Sequence, residues 1–266
     1  MRHLMTLALC ILPALALGQS AVTVRGPAGA SGAAAPGTTP TFAVTETPEL
    51  AWVANDGTFE ASGAGAGSFG GVGSTLAVRA PGGIACVRTR TAVEASYFSA
   101  GTGLGWPASY TIIVVVRPET ESTPKWLFGA SPAGGTNPEM WGSVHIRTGG
   151  TLRYTFGNDT VASQGDTGAG AITVGQWHVI SHRYTAGSTE AEIWVNGVSK
   201  AITTVSTSAS AAGGDGASDF SIGRVGEVTS NYADGSYCAA YVWTSDISNA
   251  DRAAVESAWM AALGIE

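Results

Sequence analysis

The sequence predicts an all-β fold in which two antiparallel sheets form a sandwich, with one short helix at the C-terminus. Short runs of β-branched and aromatic residues recur between clusters of Gly, Pro, Asn and Ser, at spacings typical of a sandwich. The most apolar run, residues 110–117, is rich in β-branched residues, which indicates a central strand with both faces covered. Further along, Asn196 and Gly197 tolerate the positive φ angles that a tight type I′ hairpin turn requires.

The other predicted strands follow in order, separated by turn sequences such as residues 55–57 and 81–83. Apolar or alternating runs place them at residues 42–44, 50–54, 76–79, 84–88, 126–129, 143–147, 151–156, 175–184, 192–195, 220–224 and 236–243. The Gly-rich stretches 63–73 and 206–218 are predicted to be loops.

One helix is predicted at the end of the chain. Ser248 followed by Asp251 resembles a capping box with Asp in place of the usual Glu, and Gly264 provides the stop. The apolar residues that share one face of this helix are Val255, Ala258, Trp259 and Ala262.

The composition describes an acidic chain with few charges. Among its 266 residues, 13 Lys and Arg stand against 20 Asp and Glu, for a net charge of −7, and the cations are scattered singly. A nucleic-acid-binding surface needs clustered basic residues, so we exclude nucleic acid as a partner. The 37 Gly residues and the abundant Ala, Ser and Thr are typical of a β-rich, loop-heavy secreted or virion protein.

Three segments are predicted along the chain. Residues 1–18 have a basic start, an apolar run and small residues before Gln19, the layout of a secretory signal peptide. The alternative is an uncleaved apolar anchor buried in a larger assembly. Residues 19–40 form a Gly/Ala/Pro-rich, collagen-like linker, or else a trimerising or anchoring arm, since such stubs resemble those of bacteriophage tail and fibre proteins. Residues 41–266 then form one sandwich domain.

The cysteines fit an exported protein. Cys10 would be removed with the signal peptide, which leaves Cys86 and Cys238 as an even pair. An even pair in an exported protein indicates a disulfide, and two separate buried thiols are the alternative.

Four segments occur in a characteristic order: residues 109–117 followed by 126–129, residues 175–178, residues 193–197, and the ending 237–243 with its helix. In this order they resemble the laminin-G-like, concanavalin-A-like β-sandwich, the jelly roll of lectins and glucanases that is found in exported and bacteriophage surface proteins. The match covers residues 41–266. In such a jelly roll the first and last strands run close together, which would bring Cys86 and Cys238 within disulfide distance.

The resemblance implies binding of sugars or other surface ligands and, in some members, cleavage of polysaccharides. Retaining glycosidases need two carboxylates about 5 Å apart, and the glucanases of this fold carry them as Glu-x-Asp-x-x-Glu. Here Glu190 and Glu192 share one strand face, but the third position is Val195. We therefore expect a solvated face opposite inward-facing Ala191, Ile193 and Val195, and we predict no catalytic residue.

Two histidine patterns could support other chemistry. The lyases of this fold carry a Gln-x-His element that His145 could match, but Val144 is not Gln. His178 and His182 lie four residues apart on one strand face and could hold a metal. Because no carboxylate or cysteine lies nearby in sequence, surface or half-buried imidazoles are favoured.

Sugar sites combine aromatic platforms with amide and carboxylate groups that bond hydroxyls. The predicted ligand-binding residues are Trp141, Asn137, Glu139, Asn231, Tyr232 and Asp234. Trp106 and Trp194 also have loop-like or outward settings, whereas the tryptophans that fit core positions better are Trp52, Trp177, Trp243 and Trp259. The resemblance further implies one Ca²⁺ ion as a candidate cofactor, with donors from among Asp159, Asp166, Asp219 and Asp234.

The sequence therefore predicts a non-catalytic carbohydrate-binding β-sandwich used for adhesion, either secreted or displayed on a particle such as a phage tail, fibre or capsid. A homo-oligomer or larger assembly would form through the N-terminal segment. The first alternative is a purely structural virion or surface protein, and the second is a polysaccharide hydrolase or lyase.

Overall fold

The computed structural model describes most of the chain after residue 36. The described residues are 37, 39–55, 58–62, 70–72, 76–89, 97–104, 107–121, 125–132, 141–157, 162–206, 218–224 and 233–266. The predicted signal peptide, Cys10 and nearly all of the predicted linker lie outside them, so the three-segment division stays a prediction.

The described strands form two sheets in which every pair of neighbours is antiparallel, and this confirms the predicted sandwich. The first sheet has nine strands: β1 (Leu50–Asn55), β2 (Thr58–Ser62), β4 (Leu76–Arg79), β5 (Ala85–Thr89), β7 (Tyr110–Pro118), β12 (His178–Tyr184), β13 (Glu192–Val195), β14 (Val198–Lys200) and β17 (Gly235–Trp243). Its order is β14-β13-β12-β7-β17-β1-β2, with β5 beside β17 and β4 beside β5.

The second sheet has eight strands: β3 (Gly70–Val72), β6 (Tyr97–Leu104), β8 (Lys125–Pro132), β9 (Trp141–Arg147), β10 (Thr151–Gly157), β11 (Ala162–Thr167), β15 (Ile202–Ser206) and β16 (Ser218–Ile222). Its order is β15-β11-β10-β9-β8-β16-β6-β3. The predicted strand at residues 42–44 is wrong, because these residues are extended but pair with no sheet in the described part of the chain.

The main core fills the space between the sheets. Successive side chains of a strand point to opposite faces, so every second residue of each strand enters this core. From β7 come Ile112, Val114 and Val116, which meet large rings such as Tyr154 and Phe156 from β10.

A second core covers the outer face of the nine-stranded sheet. The intervening residues of β7, Ile113 and Val115, point into this second core, which confirms that β7 is covered on both faces. Helix α1 (Asn249–Leu263) supplies Val255, Trp259 and Leu263. The extended segment before β1 supplies Phe42 and Val44, which explains why residues 42–44 are apolar without forming a strand.

The predicted ends of α1 are confirmed. The Ser248 hydroxyl accepts a hydrogen bond from the Asp251 backbone N–H, and Gly264 adopts a left-handed conformation with φ 66°. The Asp251 carboxylate also accepts hydrogen bonds from the backbone N–H and the hydroxyl of Thr45, at 3.1 and 2.5 Å. These contacts tie the N-terminal extended segment to the helix that shares its face of the sheet.

The disulfide between Cys86 and Cys238 is confirmed. Its cysteines lie on β5 and β17, which are adjacent antiparallel strands, and their Cα atoms are 4.1 Å apart. The closely spaced pairs of an antiparallel ladder have this kind of separation, about 4.5 Å. The bridge is therefore a cross-strand link within the nine-stranded sheet, on the face that α1 covers.

The predicted hairpin turn is confirmed as well, with Asn196 and Gly197 at φ 52° and 74° between β13 and β14. Within the described ranges, no helix has the length and apolar character needed to cross a membrane.

Candidate ligand-binding face

The predicted rim site does not form around Trp141. This residue begins β9, and its ring is fully buried in the inter-sheet core, 5.4 Å from the ring of Tyr110. The prediction of an exposed platform at Trp141 is wrong, because the large apolar ring points inward and is buried between the sheets. Asn137, Glu139, Asn231 and Tyr232 lie outside the described residues.

Asp234 takes part in a charged patch at one end of the nine-stranded sheet. Its carboxylate lies 3.3 Å from the guanidinium of Arg88 on β5. On β7, at the other side of β17, Arg117 pairs with Glu119 at 2.7 Å. The Arg117 guanidinium also lies 5.6 Å from the centre of the half-buried Trp177 ring. Each of these charges has an opposite partner, so the patch is internally neutralised.

The prediction that Glu190 and Glu192 share one strand face is wrong, because β13 begins at Glu192 and Glu190 lies in the bend before it. Ala191, Ile193 and Val195 are buried, whereas the Glu192 side chain is 50% exposed and pairs with Arg183 at 2.7 Å. Trp194 points away from the inter-sheet core but is not available as a platform.

Helix α1 covers Trp194, whose ring centre lies 4.1 Å from the Arg252 guanidinium and 4.9 Å from that of Arg183. Arg252 also pairs with the buried Glu256, which accepts a hydrogen bond from the Ser181 hydroxyl. This cluster holds α1 on the nine-stranded sheet.

His178 and His182 have separate environments. His178 contacts the backbone of Thr173 through Nε2 at 3.0 Å, and His182 lies in the inter-sheet core between the rings of Tyr110 and Tyr154. Burial lowers the pKa of His182 to about 3, so it is a neutral core residue. Among the side chains that the structure describes, no three His, Cys, Asp or Glu are grouped so that they could hold a metal ion.

The outer face of the eight-stranded sheet carries a different pattern. Trp126 on β8 pairs with His145 on β9, His145 pairs with Arg153 on β10, and Arg153 pairs with Asp166 on β11. These four residues, which we call the polar row, cross four adjacent strands on the side that faces away from the inter-sheet core. Their apolar neighbours in sequence, such as Ile146 and Leu152, point into that core.

Two arginines share the one carboxylate of the polar row. Arg153 donates from Nε to Asp166 Oδ1 at 2.5 Å and from Nη2 to Oδ2 at 2.7 Å. Arg147, two residues after His145 on the same face, donates from Nη1 to Oδ2 at 2.9 Å. Burial raises the pKa of Asp166, but the hydrogen bonds and charges of Arg153 and Arg147 outweigh it, so the pKa is lowered.

His145 is neutral and supports the indole of Trp126. It is 7% exposed, and its ring meets that of Trp126 edge-on, with centroids 4.4 Å apart. Burial, reinforced by the positive charges of Arg153 and Arg147, lowers its pKa to about 3. Its Nδ1 is buried, and no described residue hydrogen-bonds to it. Trp126 itself is half-buried, which leaves part of its ring at the surface.

The adjacent positions are also polar, but Ser143 and Thr155 are fully buried and only Gln164 is half-buried. Thr155 pairs with Ser143 on one side and with Gln164 on the other, and the Gln164 side-chain oxygen accepts from Arg153 at 3.5 Å. Sequence reasoning did not identify this face as a site. The available signal was the polar residue at every second position, Ser143, His145 and Arg147 in β9 and Arg153 and Thr155 in β10.

Of the four aspartates that could hold the implied Ca²⁺ ion, the structure describes the side chains of two, Asp166 and Asp234, and both are paired with arginine. Asp166 is engaged by two arginines and Asp234 by Arg88, and the two belong to different sheets. Asp159 and the side chain of Asp219 lie outside what the structure describes.

The fold is similar to that of several receptor-binding domains among the solved structures. The Botulinum Neurotoxin Type G Receptor Binding Domain shares 11% identity at a TM-score of 0.56, over 80% of this chain and 50% of that one. The receptor binding domain of the C/D mosaic serotype shares 7% identity at a TM-score of 0.59, over 79% and 51%. The binding domain of Botulinum Neurotoxin DC in complex with SialylT shares 10% identity at a TM-score of 0.58, over 80% and 51%.

This chain thus spans about half the length of these neighbours. At such low identity the likeness establishes a shared β-sandwich fold. No protein-family model matches the sequence, and no curated protein matches it.

Proposed function

We propose that this chain is a non-catalytic carbohydrate-binding β-sandwich of the laminin-G-like kind, and that the polar row is its binding face. The observation that carries the proposal is the half-buried indole of Trp126 beside hydrogen-bonding groups fixed by a sheet. An indole covers the apolar face of a sugar ring, and fixed polar groups bond its hydroxyls.

The rigidity of the face supports binding. Four paired strands set the positions of Trp126, His145, Arg153 and Asp166, and the two arginines are held by one carboxylate. Groups that are already ordered lose little conformational entropy when a ligand arrives.

The row is better suited to holding a sugar than to hydrolysing one. Glycoside hydrolysis uses a pair of carboxyl groups flanking the scissile bond. The only carboxylate of the polar row is Asp166, and both of its oxygens accept hydrogen bonds from arginine. The polysaccharide hydrolase is therefore the weaker alternative, and so is the lyase, because Val144 stands in the place of the Gln in its Gln-x-His element.

In this proposal the protein acts in adhesion, either secreted or displayed on a particle surface through its N-terminal segment. The neighbours are binding domains of toxins, one of them solved in complex with SialylT, and this is compatible with recognition of surface glycans. The structural alternative, a spacer without a ligand, differs in that it binds no glycan.

A glycan array followed by calorimetry on the hits tests the proposal, with Trp126→Ala as the main variant. Loss of a stacking indole should weaken binding by about 1–3 kcal/mol. Trp177→Ala is the matched control, since Trp177 is also a half-buried tryptophan beside an arginine but lies by the nine-stranded sheet.

Binding should persist in EDTA, because Trp126 and the arginines need no metal. Equal loss of affinity in both tryptophan variants would contradict the assignment of the face. Binding to no glycan would favour the structural alternative, and release of reducing ends from a polysaccharide would favour the enzyme.

A further inference from the structure

We infer that the ligand of this face is a carboxylate-bearing saccharide, held through the guanidinium of Arg147. The inference rests on the proposed function and adds the chemical class of the ligand. It follows from the charges, the hydrogen-bond donors and the exposure of the groups around the polar row.

The charges around the row do not cancel. Two guanidinium groups, those of Arg147 and Arg153, face the single carboxylate of Asp166, and His145 is uncharged. A local excess of one positive charge results, in a chain whose net charge is −7. At the other charged patch, in contrast, Arg88 and Arg117 each have a carboxylate of their own.

Arg147 is the group that can provide this excess to a ligand. Arg153 uses two nitrogens to engage both oxygens of Asp166, whereas Arg147 contacts the carboxylate through Nη1. The Arg147 side chain is also 38% exposed, compared with 18% for Arg153 and 19% for Asp166. Asp166 thus orients a guanidinium whose planar fork matches a second carboxylate.

The hydrogen-bonding groups of the polar row also favour an acidic ligand. Neutral sugars present hydroxyls that need acceptors as well as donors, and carboxylates are the usual acceptors. Here both oxygens of Asp166 accept from arginine, and the Gln164 oxygen also faces Arg153. The row is therefore rich in donors, which suits a ligand rich in acceptors.

The position of Arg147 relative to Trp126 allows one saccharide to contact both. Arg147 follows His145 by two residues on the same strand face, about 6–7 Å along β9, and His145 lies directly beside Trp126. A pyranose ring stacked on the indole could thus present its carboxylate to the guanidinium.

Calorimetry on the full-length chain tests the inference with four probes. Oligogalacturonate and its carboxyl-reduced form differ only in the acid group, and sialyllactose and its carboxyl-reduced form make a second such pair. The acidic member of at least one pair should bind at least about tenfold more tightly than its neutral partner, and more weakly at high ionic strength. The pair that shows this identifies the source of the carboxylate, a uronate or a sialate.

Arg147→Gln should weaken binding of that acidic probe about tenfold and leave the thermal midpoint nearly unchanged, because the two-nitrogen pair of Arg153 with Asp166 remains. Arg79→Gln is the matched control: it removes the same charge from an exposed arginine on β4 of the other sheet.

The outcomes separate the two proposals. Tight binding of neutral and acidic probes alike, unaffected by Arg147→Gln, overturns the acidic ligand but keeps carbohydrate binding. If Arg79→Gln and Arg147→Gln weaken binding of the acidic probe equally, the effect comes from net charge alone, and this result also overturns the inference. If the glycan array and all four probes show no binding, the proposed function itself fails.

Discussion

The two outer faces of this sandwich differ although the sheets share one core. The face of the nine-stranded sheet is apolar and covered by helix α1 and the extended segment around Phe42, and it carries a disulfide. The face of the eight-stranded sheet is polar, with half-buried Trp126 and Arg153 on either side of the buried His145, and among the described residues no helix lies over it. A continuous apolar run such as β7 thus marks a sheet that is packed against apolar layers on both faces, and alternation such as that of β10 marks a sheet with one polar face.

The contrast between the two faces indicates which one contributes to stability and which one could bind a ligand. Burial of the covered face removes apolar area from water and contributes to folding, whereas polar groups on the other face cost free energy if they are buried without partners. A binding site is therefore expected on the face where the sequence keeps its polar residues.

The largest contrast is expected between two tryptophans. Trp259 on α1 is fully buried and donates a hydrogen bond from its indole N–H to the Tyr241 hydroxyl at 3.1 Å. Trp259→Ala leaves a cavity and an unpaired buried hydroxyl, and it should lower the free energy of unfolding by about 5 kcal/mol. Trp126→Ala on the polar face should lower it by about 1 kcal/mol. Urea denaturation measures both values.

Trp259→Phe is the control for this prediction. It keeps most of the buried ring but removes the donor, so its cost should lie between the other two values. Equal destabilisation by Trp259→Ala and Trp126→Ala would show that the two faces contribute alike to stability.

The disulfide should give the next largest effect. Cys86 and Cys238 close a loop with a sequence separation of 152, and a bridge over such a loop stabilises a fold by about 4 kcal/mol. The double variant Cys86→Ala with Cys238→Ala should lose this amount in guanidinium denaturation. Glycan binding by the folded variant should be unchanged, because the bridge lies on the covered face. Reduced affinity at equal folded fraction would mean that the two faces are coupled.

Much of the framework of the fold could be predicted from the sequence. The central strand β7, the Asn196-Gly197 turn and the capped helix each have a strong local signal, whereas the pairing of Cys86 with Cys238 follows from the even number of cysteines and the resemblance to a jelly roll. Strand β11 has none, since Ala162–Thr167 lacks aromatic residues and has one β-branched residue, at its end. It is a strand because β10 and β15 pair with it on both sides, which local propensity does not report.

The candidate site was harder to predict because strand alternation fails at that point. The pairing of β8 with β9 shifts register between Trp126 and Phe128 and again between Phe128 and Ala130. A register shift changes which residues face outward, so the period of two no longer assigns faces there. The period of two therefore does not assign the faces of Trp126 and Trp141, and the loop-like sequence before Trp141 indicates a rim position for a ring that is buried.

The last effect, which is small when measured over one pH unit, is a pH dependence that originates on the polar face. An unfolded His145 binds a proton near pH 6.5, whereas burial lowers the pKa of the folded imidazole to about 3. Between these values the unfolded state binds more protons, so stability is complete above about pH 6.5 and falls as the pH is lowered. Each such histidine contributes a slope of about 1.4 kcal/mol per pH unit. His145→Asn should remove one such slope between about pH 4.5 and 5.5.

His182 in the inter-sheet core provides the internal reference for this measurement, because its pKa is also lowered to about 3 and it is present in both proteins. The variant should therefore keep a reduced slope, and its free energy of unfolding should approach that of the wild type as the pH falls. The chain has 4 histidines, and none of those described lies on the covered face. Parallel stability curves for the two proteins in urea denaturation would mean that His145 titrates like an exposed imidazole. The polar face would then be more hydrated than its burial indicates, and the edge-on support of Trp126 by a neutral ring would be lost at mildly acidic pH.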